Sequence, residues 1–281
     1  MTLEEYRKKL TGRFEENYFD CAGIEADYII SEVLSIPHIE LVLYPERLIK
    51  DEELSRMESF AERRLKNEPF QYIFGWTPFR EIDLYVAPGV LIPRPETEGM
   101  VDIILKNLPQ RGTLCELGTG SGAISLSVAY ERSDVKVMGS EISPEALAIS
   151  EKNRRKLSLE NVQFFQGDLY SPFAGNTFDV IAANLPYIPR EEEKNLPPNV
   201  RDYEPREALF ADDGGFALIE KAILEAPRYL KKDSPSALVF ELGEEQTLRA
   251  VETAEKTAFF TECKIEKDVF QVPRFLYAVH Q

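Results

Sequence analysis

The period of the apolar positions changes along the chain and divides it into three regions. Leu3, Tyr6, Leu10 and Phe14 recur at spacings of three and four, as do Leu54, Met57, Ala61 and Leu65, with charged residues between them. Such a stripe marks an amphipathic helix that buries one face. Ala26, Ile30, Val33 and Leu34 form a third such stripe, closed by Ser35-Ile36-Pro37, so residues 1–67 are expected to be a small all-α domain. Residues 68–97 read EPFQYIFGWTPFREIDLYVAPGVLIPRPET, rich in proline and β-prone aromatics and alternating through Glu81–Val86. A β-hairpin connector fits that texture. From residue 98 to 281, apolar runs alternate with helical patterns, as in βαβ units around a parallel sheet. The expected strands are 113–117, 135–141, 162–166, 178–184 and 237–242, with helices near 98–108, 122–132, 144–157, 214–230 and 245–258. CKIEKDV and RFLYAVH follow without a helical pattern between them, which predicts an antiparallel pair at the sheet edge. The fold class is α/β.

The ends of these strands carry the candidate chemistry, and in open α/β sheets ligands bind at the strands' C-terminal tips. The first strand runs into Glu116-Leu117-Gly118-Thr119-Gly120-Ser121-Gly122 and then a helix. Glycines at alternate positions let the backbone turn sharply and come close to a ligand at a helix N-terminus. The spacing is not the G-x-G-x-x-G of dinucleotide sites, and by itself the loop is a weak signal. The second strand ends at Glu141, about twenty residues beyond the glycine loop, where a carboxylate is placed to accept from both ribose hydroxyls of a nucleoside. Ser143-Pro144-Glu145 next to it is a good helix start, so Glu141 is also readable as a neighbour of a cap. The third strand ends in Gly167-Asp168-Leu169; Asp168 pairs with an adenine amino group or caps the turn. The fourth, FDVIAA, stops at Asn184-Leu185-Pro186-Tyr187, and the Pro- and charge-rich IPREEEKNLPP beyond it cannot continue a strand.

Composition narrows the setting. With 281 residues and 43% hydrophobic content the chain can bury a sizeable core. Its 33 basic and 49 acidic side chains leave a formal charge of −16, a field that repels phosphate backbones and disfavours nucleic acid as the main substrate. His38 and His280 are the only histidines, and Cys21, Cys115 and Cys263 are far apart, so neither a catalytic triad nor a metal site is expected. No apolar run approaches the roughly 18 residues of a membrane span, and MTLEEYRKKL lacks a signal-peptide apolar core, so a cytoplasmic protein is expected.

The sequence E-x-G-x-G-x-G, the acid closing strand two, the Asp closing strand three and Asn-x-Pro-Tyr closing strand four together resemble a class I S-adenosylmethionine-dependent methyltransferase. Within that class, Asn-Pro-Pro-Tyr marks enzymes that methylate planar amide or amine nitrogens. Pro69-Phe70-Gln71-Tyr72-Ile73-Phe74-Gly75, Val90-Leu91-Ile92-Pro93-Arg94-Pro95-Glu96-Thr97-Glu98, and Asp202-Tyr203-Glu204-Pro205 with Ala208-Leu209-Phe210 and the Asp213-Gly214 turn are similar to the HemK/PrmC family. Its members are protein-(glutamine-N5) methyltransferases acting on peptide chain release factors. The likeness runs from about residue 68 to 281, and a helical N-terminal domain also fits.

The resemblance implies a Rossmann-like sheet with antiparallel C-terminal strands, a recognition role for the helical domain, and methylation of the Gly-Gly-Gln loop of a release factor. S-adenosyl-L-methionine would be the cofactor and S-adenosyl-L-homocysteine the product. Carried onto this chain, Glu116, Gly118, Thr119, Gly120, Ser121, Gly122, Glu141, Asp168, Leu169 and Asn184 would bind cofactor, and Asn184, Leu185, Pro186 and Tyr187 would form the catalytic motif. Two acceptors facing the two N–H groups of a glutamine amide would hold its nitrogen for attack; the Asn184 side-chain oxygen and the Leu185 carbonyl suit that task, with the Tyr187 ring as a packing face. Leu185 departs from the family's proline, which loosens the loop; Pro186 restores part of the restraint by biasing Leu185 to extended conformations. Thr97 reads as the cap of the helix at 98, and Arg94 or Glu98 as residues that steady neighbouring loops. A monomer with no membrane partner is expected. The competing readings are an amino methyltransferase on an adenine or cytosine base, and a cofactor-binding interaction protein without catalysis.

Overall fold

The structure, a computed structural model, describes residues 1–281, which divide into two compact units, Met1–Phe74 and Gly75–Gln281. The first unit is helical throughout: α1 (Leu3–Glu16), α2 (Ala22–Leu34), α3 (His38–Leu43), α4 (Asp51–Arg64) and α5 (Phe70–Phe74). Thr2 and Glu5 form a reciprocal capping box that starts α1. The expected stripe residues Leu3, Tyr6, Leu10, Phe14, Met57 and Ala61 make its core with Ala26, Ile29 and Ile30. The expected boundary at 67/68 falls short of this unit, which runs to Phe74. Arg63 on α4 donates to the carbonyls of Tyr72 and Ile73 at 3.0 and 3.1 Å, and Phe70 stacks on Phe74, so the segment after 67 belongs to the helices.

The second unit opens with the expected hairpin, β1 (Trp76–Phe79) and β2 (Ile82–Tyr85), paired antiparallel from Trp76↔Tyr85 to Phe79↔Ile82. Arg80 turns it with φ +50°. Phe79, Ile82 and Leu84 point into the core, which is why the alternation was visible in the sequence. Then come α6 (Glu98–Asn107), β3 (Thr113–Leu117), α7 (Ala123–Glu131), β4 (Lys136–Glu141), α8 (Pro144–Lys156), β5 (Val162–Gln166) and β6 (Val180–Asn184). The short strands β7 (Ile188–Pro189) and β8 (Phe210–Ala211) pair with each other, and β9 (Ser236–Glu241), β10 (Glu262–Lys267) and β11 (Pro273–His280) complete the unit.

Seven strands form one sheet in the order β10-β11-β9-β6-β3-β4-β5. β3, β4, β5, β6 and β9 are parallel, and β11 runs antiparallel to both β9 and β10, as the tail pattern predicts. Apolar clusters cover both faces: Val101, Ile104, Leu126 and Val128 on one, Phe173, Ile219, Ile223 and Ala250 on the other. A strand buried on both faces needs no polar alternation, hence the continuous run VIAA in β6. The helix expected over 214–230 is broken: Asp213 and Gly214 take left-handed φ values of +56° and +63°, a regular helix spans Ala217–Glu225, and a 3-10 turn follows at Ala226–Arg228. Successive strands leave β3 in opposite directions, β4 and β5 to one side and β6 and β9 to the other. This switch point opens a crevice at the C-terminal ends of β3 and its neighbours. No helix is long and apolar enough to cross a membrane.

Candidate active site

A cavity lies at that crevice. Its wall includes Gly118, Thr119, Gly120 and Ser121 from the loop after β3, Glu141 from the tip of β4, and Asp168 and Leu169 beyond β5. Asn184, Leu185 and Pro186 at the end of β6 and Glu116 on β3 close it, with Val90, Pro93, Arg94 and Thr97 along another side. Of the residues picked from the sequence, only Gly122 and Tyr187 stand outside the wall. Gly122 (φ +85°) is where α7 begins, and a Cβ there would strike Leu126 and Phe164; its task is close packing of loop and helix. Tyr187 is half-buried beside the second core cluster, and its carbonyl accepts from Gln246 Nε2 at 2.8 Å.

The glycine loop is held from below. Gly118 and Thr119 donate their N–H groups to the Ser140 carbonyl at 2.8 and 3.0 Å, and Gly120 N–H donates to Glu141 Oε2 at 2.8 Å. Glu141 Oε1 accepts from Ser143 N–H at 3.0 Å. Glu141 thus braces the start of α8 and also lines the cavity, with a lone pair left on each oxygen. Buried Glu116 accepts from Ser125 N–H at 3.0 Å and from the Ser125 hydroxyl. Burial, with the nearby charge of Glu141, pushes its carboxyl up to about 8. Asp168 does not cap its turn with its side chain; it pairs with Lys221 Nζ at 2.7 Å, and the turn is closed by Ser171 N–H on the Asp168 carbonyl.

Leu185 fills space that the family's proline would not. Its side chain is buried, and a Cβ on Gly118 (φ +70°) would lie only 3.1 Å from its Cδ2. The leucine thus packs across the bare backbone of the glycine loop and joins the tips of β3 and β6.

Three buried polar side chains to which no role was assigned from sequence hold the wall in place. Asn153 on α8 accepts from Tyr85 N–H at 2.7 Å and donates to the carbonyls of Tyr85 and Ser121 at 2.9 Å each, tying hairpin to glycine loop. Glu204 accepts from Ile92 N–H at 3.2 Å and from Arg94 Nη2 at 2.6 Å, so DYEP clamps the IPRP segment. Arg94 steadies that loop as expected, and Glu98 does the same for the hairpin turn through Arg80 N–H at 3.1 Å. Glu241 at the tip of β9 accepts from the Thr97 hydroxyl at 2.7 Å, and that hydroxyl in turn accepts from Asn184 Nδ2 at 3.3 Å. The expectation that Thr97 caps α6 is overturned: it has φ −64° and ψ −20° and makes no side-chain cap bond. Burial pushes the Glu241 carboxyl up to about 7.

The wall suits S-adenosylmethionine. Its carboxylates at Glu141 and Asp168 favour a cationic ligand with hydroxyl and amino donors and disfavour a phosphate. Thr119 contributes a buried hydroxyl with no partner of its own. Residues 109–258 match the model of a methyltransferase domain, and residues 5–75 match that of the PrmC N-terminal domain, a range that coincides with the helical unit. The fold is shared by a methyltransferase of Pyrococcus furiosus, 18% identical, at a TM-score of 0.51 over 82% of this chain and 97% of that one. A 16S rRNA N2 G1207 methyltransferase of T. thermophilus, solved with AdoMet and guanosine, is 17% identical with a TM-score of 0.54 over 73% of this chain and 50% of that one. Fold and site together define a class I S-adenosylmethionine-dependent methyltransferase. The release factor glutamine methyltransferase of Thermodesulfovibrio yellowstonii is 36% identical over 90% of each chain. That of Vibrio cholerae is 35% identical over 88% of this chain and 86% of its own length. The chain belongs to the family of release factor glutamine methyltransferases.

Proposed function

We propose that this chain methylates the side-chain amide nitrogen of a glutamine in a protein, the Gly-Gly-Gln loop of a peptide chain release factor, as a cytoplasmic monomer. The observation that carries the reading is the position of Asn184-Leu185-Pro186 on the same wall as the glycine loop and Glu141. Bound S-adenosylmethionine supplies a methyl group on a cationic sulfur for direct displacement by nitrogen. An amide nitrogen is a poor nucleophile because its lone pair is delocalised into the carbonyl. Asn184 Oδ1 and the Leu185 carbonyl accept the two N–H groups of the glutamine, hold the nitrogen in line and stabilise the positive charge it develops. Tyr187 follows the wall residue Pro186 in the chain, and its ring is the proposed packing face for the planar amide. Neither acceptor is a strong base, so the released proton goes to water. Positioning dominates, and favourable geometry of this kind is worth roughly 7–11 kcal/mol in intramolecular reactions. Glu141 holds the ribose hydroxyls, Asp168 the adenine amino group, and the helical unit contributes recognition of the protein substrate.

Methylation of a nucleic-acid base uses the same acceptor logic, but a chain with formal charge −16 and an acidic cavity wall is poorly built to hold a polyanion. Incubation with labelled cofactor and either release factor or nucleic acid separates the two. Label is expected on the protein alone; label on nucleic acid, or on neither, contradicts the proposal.

A further inference from the structure

Asparagine has an amide that fits its site in two orientations, and only one presents an acceptor to an incoming N–H group. The choice at Asn184 is made by neighbours that touch no substrate. Thr97 Oγ1 has one hydrogen and two lone pairs. It lies 2.7 Å from Glu241 Oε2 and 3.3 Å from the Asn184 amide, and both Thr97 and Glu241 are buried. An ionised Glu241 can only accept, so the threonine hydrogen is committed to it. What Thr97 then offers Asn184 is a lone pair, which only the NH2 group satisfies, and Oδ1 is turned away from Thr97.

We propose that Glu241 and Thr97 are positioning residues that lock the Asn184 amide with Oδ1 toward the substrate, through the directed chain Asn184 N–H to Thr97 O–H to Glu241. The inference rests on the role proposed for Asn184. The chain has a polarity that one proton reverses: a protonated Glu241 can donate to Thr97, which frees the threonine hydrogen for Asn184 Oδ1 and lets the amide turn its donors toward a substrate that also brings donors. Several groups around Glu241 set this proton. Burial raises the Glu241 carboxyl to about 7, while the Thr97 hydrogen bond, Arg274 on β11 and Arg94 oppose the rise, and Glu96 adds to it. Burial, and after it the charge of Glu241, holds the Tyr187 phenol above the usual range, so the two groups sense one another. The productive orientation is therefore present above about pH 7 and is lost as pH falls through it.

The test compares wild type with Thr97→Val, Thr97→Ser and Glu241→Gln. In methyl transfer to release factor, Thr97→Val is expected to lower kcat about tenfold at pH 8, the loss of one orienting hydrogen bond. KM for release factor and Kd for cofactor should stay within about threefold, as expected when only the transition state loses an interaction. Thr97→Ser restores kcat, and Glu241→Gln removes the rise of kcat through pH 7. In parallel, the side-chain NH2 resonances of Asn184, identified by their loss in Asn184→Ala, are followed by nitrogen NMR without substrate. In wild type they titrate near pH 7; in Thr97→Val and Glu241→Gln they do not. Wild-type kcat in Thr97→Val, no rescue by serine, or amide resonances indifferent to pH would each overturn the relay. A titrating amide in a protein that labels no release factor leaves the relay standing and removes the proposed substrate instead.

Discussion

Two glutamates end strands on opposite sides of β3, and they behave differently. Glu141 at the tip of β4 accepts from two backbone N–H groups, Gly120 and Ser143, and so fixes main chain. Glu241 at the tip of β9 accepts from a side-chain hydroxyl, Thr97, and through it bears on another side chain, Asn184. The first acid stiffens the glycine loop on the cavity wall, which is proposed to hold the cofactor. The second lies behind Asn184, the residue proposed to receive the substrate, where one amide must face one way. A backbone donor cannot reverse its polarity, whereas a hydroxyl can, so of these two strand ends the one at Glu241 is open to control by a proton.

The contrast is broken most severely by removing the group the substrate end exists to orient. Asn184→Ala is expected to lower methyl transfer by about 100-fold or more, the scale of losing a preorganised transition-state hydrogen bond, while cofactor Kd measured by calorimetry stays within about threefold. The complementary change, Glu141→Ala, should weaken cofactor affinity by roughly 10- to 100-fold, since it removes both a ligand and the brace under Gly120; equal affinities would refute its role. Next in size is a pH effect at Glu116, between the two tips on β3. Its carboxyl is raised from 4.5 to about 8. The unfolded chain gives up that proton near 4.5 and the folded chain keeps it to about 8, so folding stability drains away as pH climbs through this window. Glu116→Gln keeps the acceptor for Ser125 and should be more stable than wild type at pH 9 by on the order of 1–3 kcal/mol, read from denaturant midpoints; no gain at pH 9 over pH 5 would show that the carboxyl is not held neutral. The smallest effect is at Gly118→Ala, where φ +70° and the 3.1 Å approach to Leu185 Cδ2 cost about 1–2 kcal/mol of stability.

The two tips also differ in how far they can be read from sequence. Glu141 lies close in sequence to a strand, a glycine loop and a recognisable helix start, and its place at a strand tip on the cavity wall is accordingly legible. Glu241 closes the apolar run ALVFEL and looks like the end of a strand; its meaning depends on Thr97, 144 positions away. Thr97 itself carries the local signal of a helix cap, and a tertiary partner outcompetes that signal for its hydroxyl. The same holds for the first unit's boundary, where Arg63 reaches forward to Tyr72 and Ile73 and draws the connector's start into the helices. The central strands and the antiparallel tail were legible, because burial on both faces leaves continuous apolar runs and the last two strands have no helical pattern between them; the order of the strands in the sheet was not. Leu185 was legible as a departure but not in its consequence, since contact with Gly118 joins two loops distant in sequence.

Asn184 is proposed to receive the amide of a glutamine, in a contact that drives the transfer. The most direct measurement is single-turnover labelling of a release factor with methyl-labelled cofactor by wild type and Asn184→Ala, followed by mass mapping of the modified residue. The expected result is label on one glutamine amide nitrogen with wild type and next to none with the variant at saturating cofactor. Label on another residue, or equal labelling by both proteins, would contradict it.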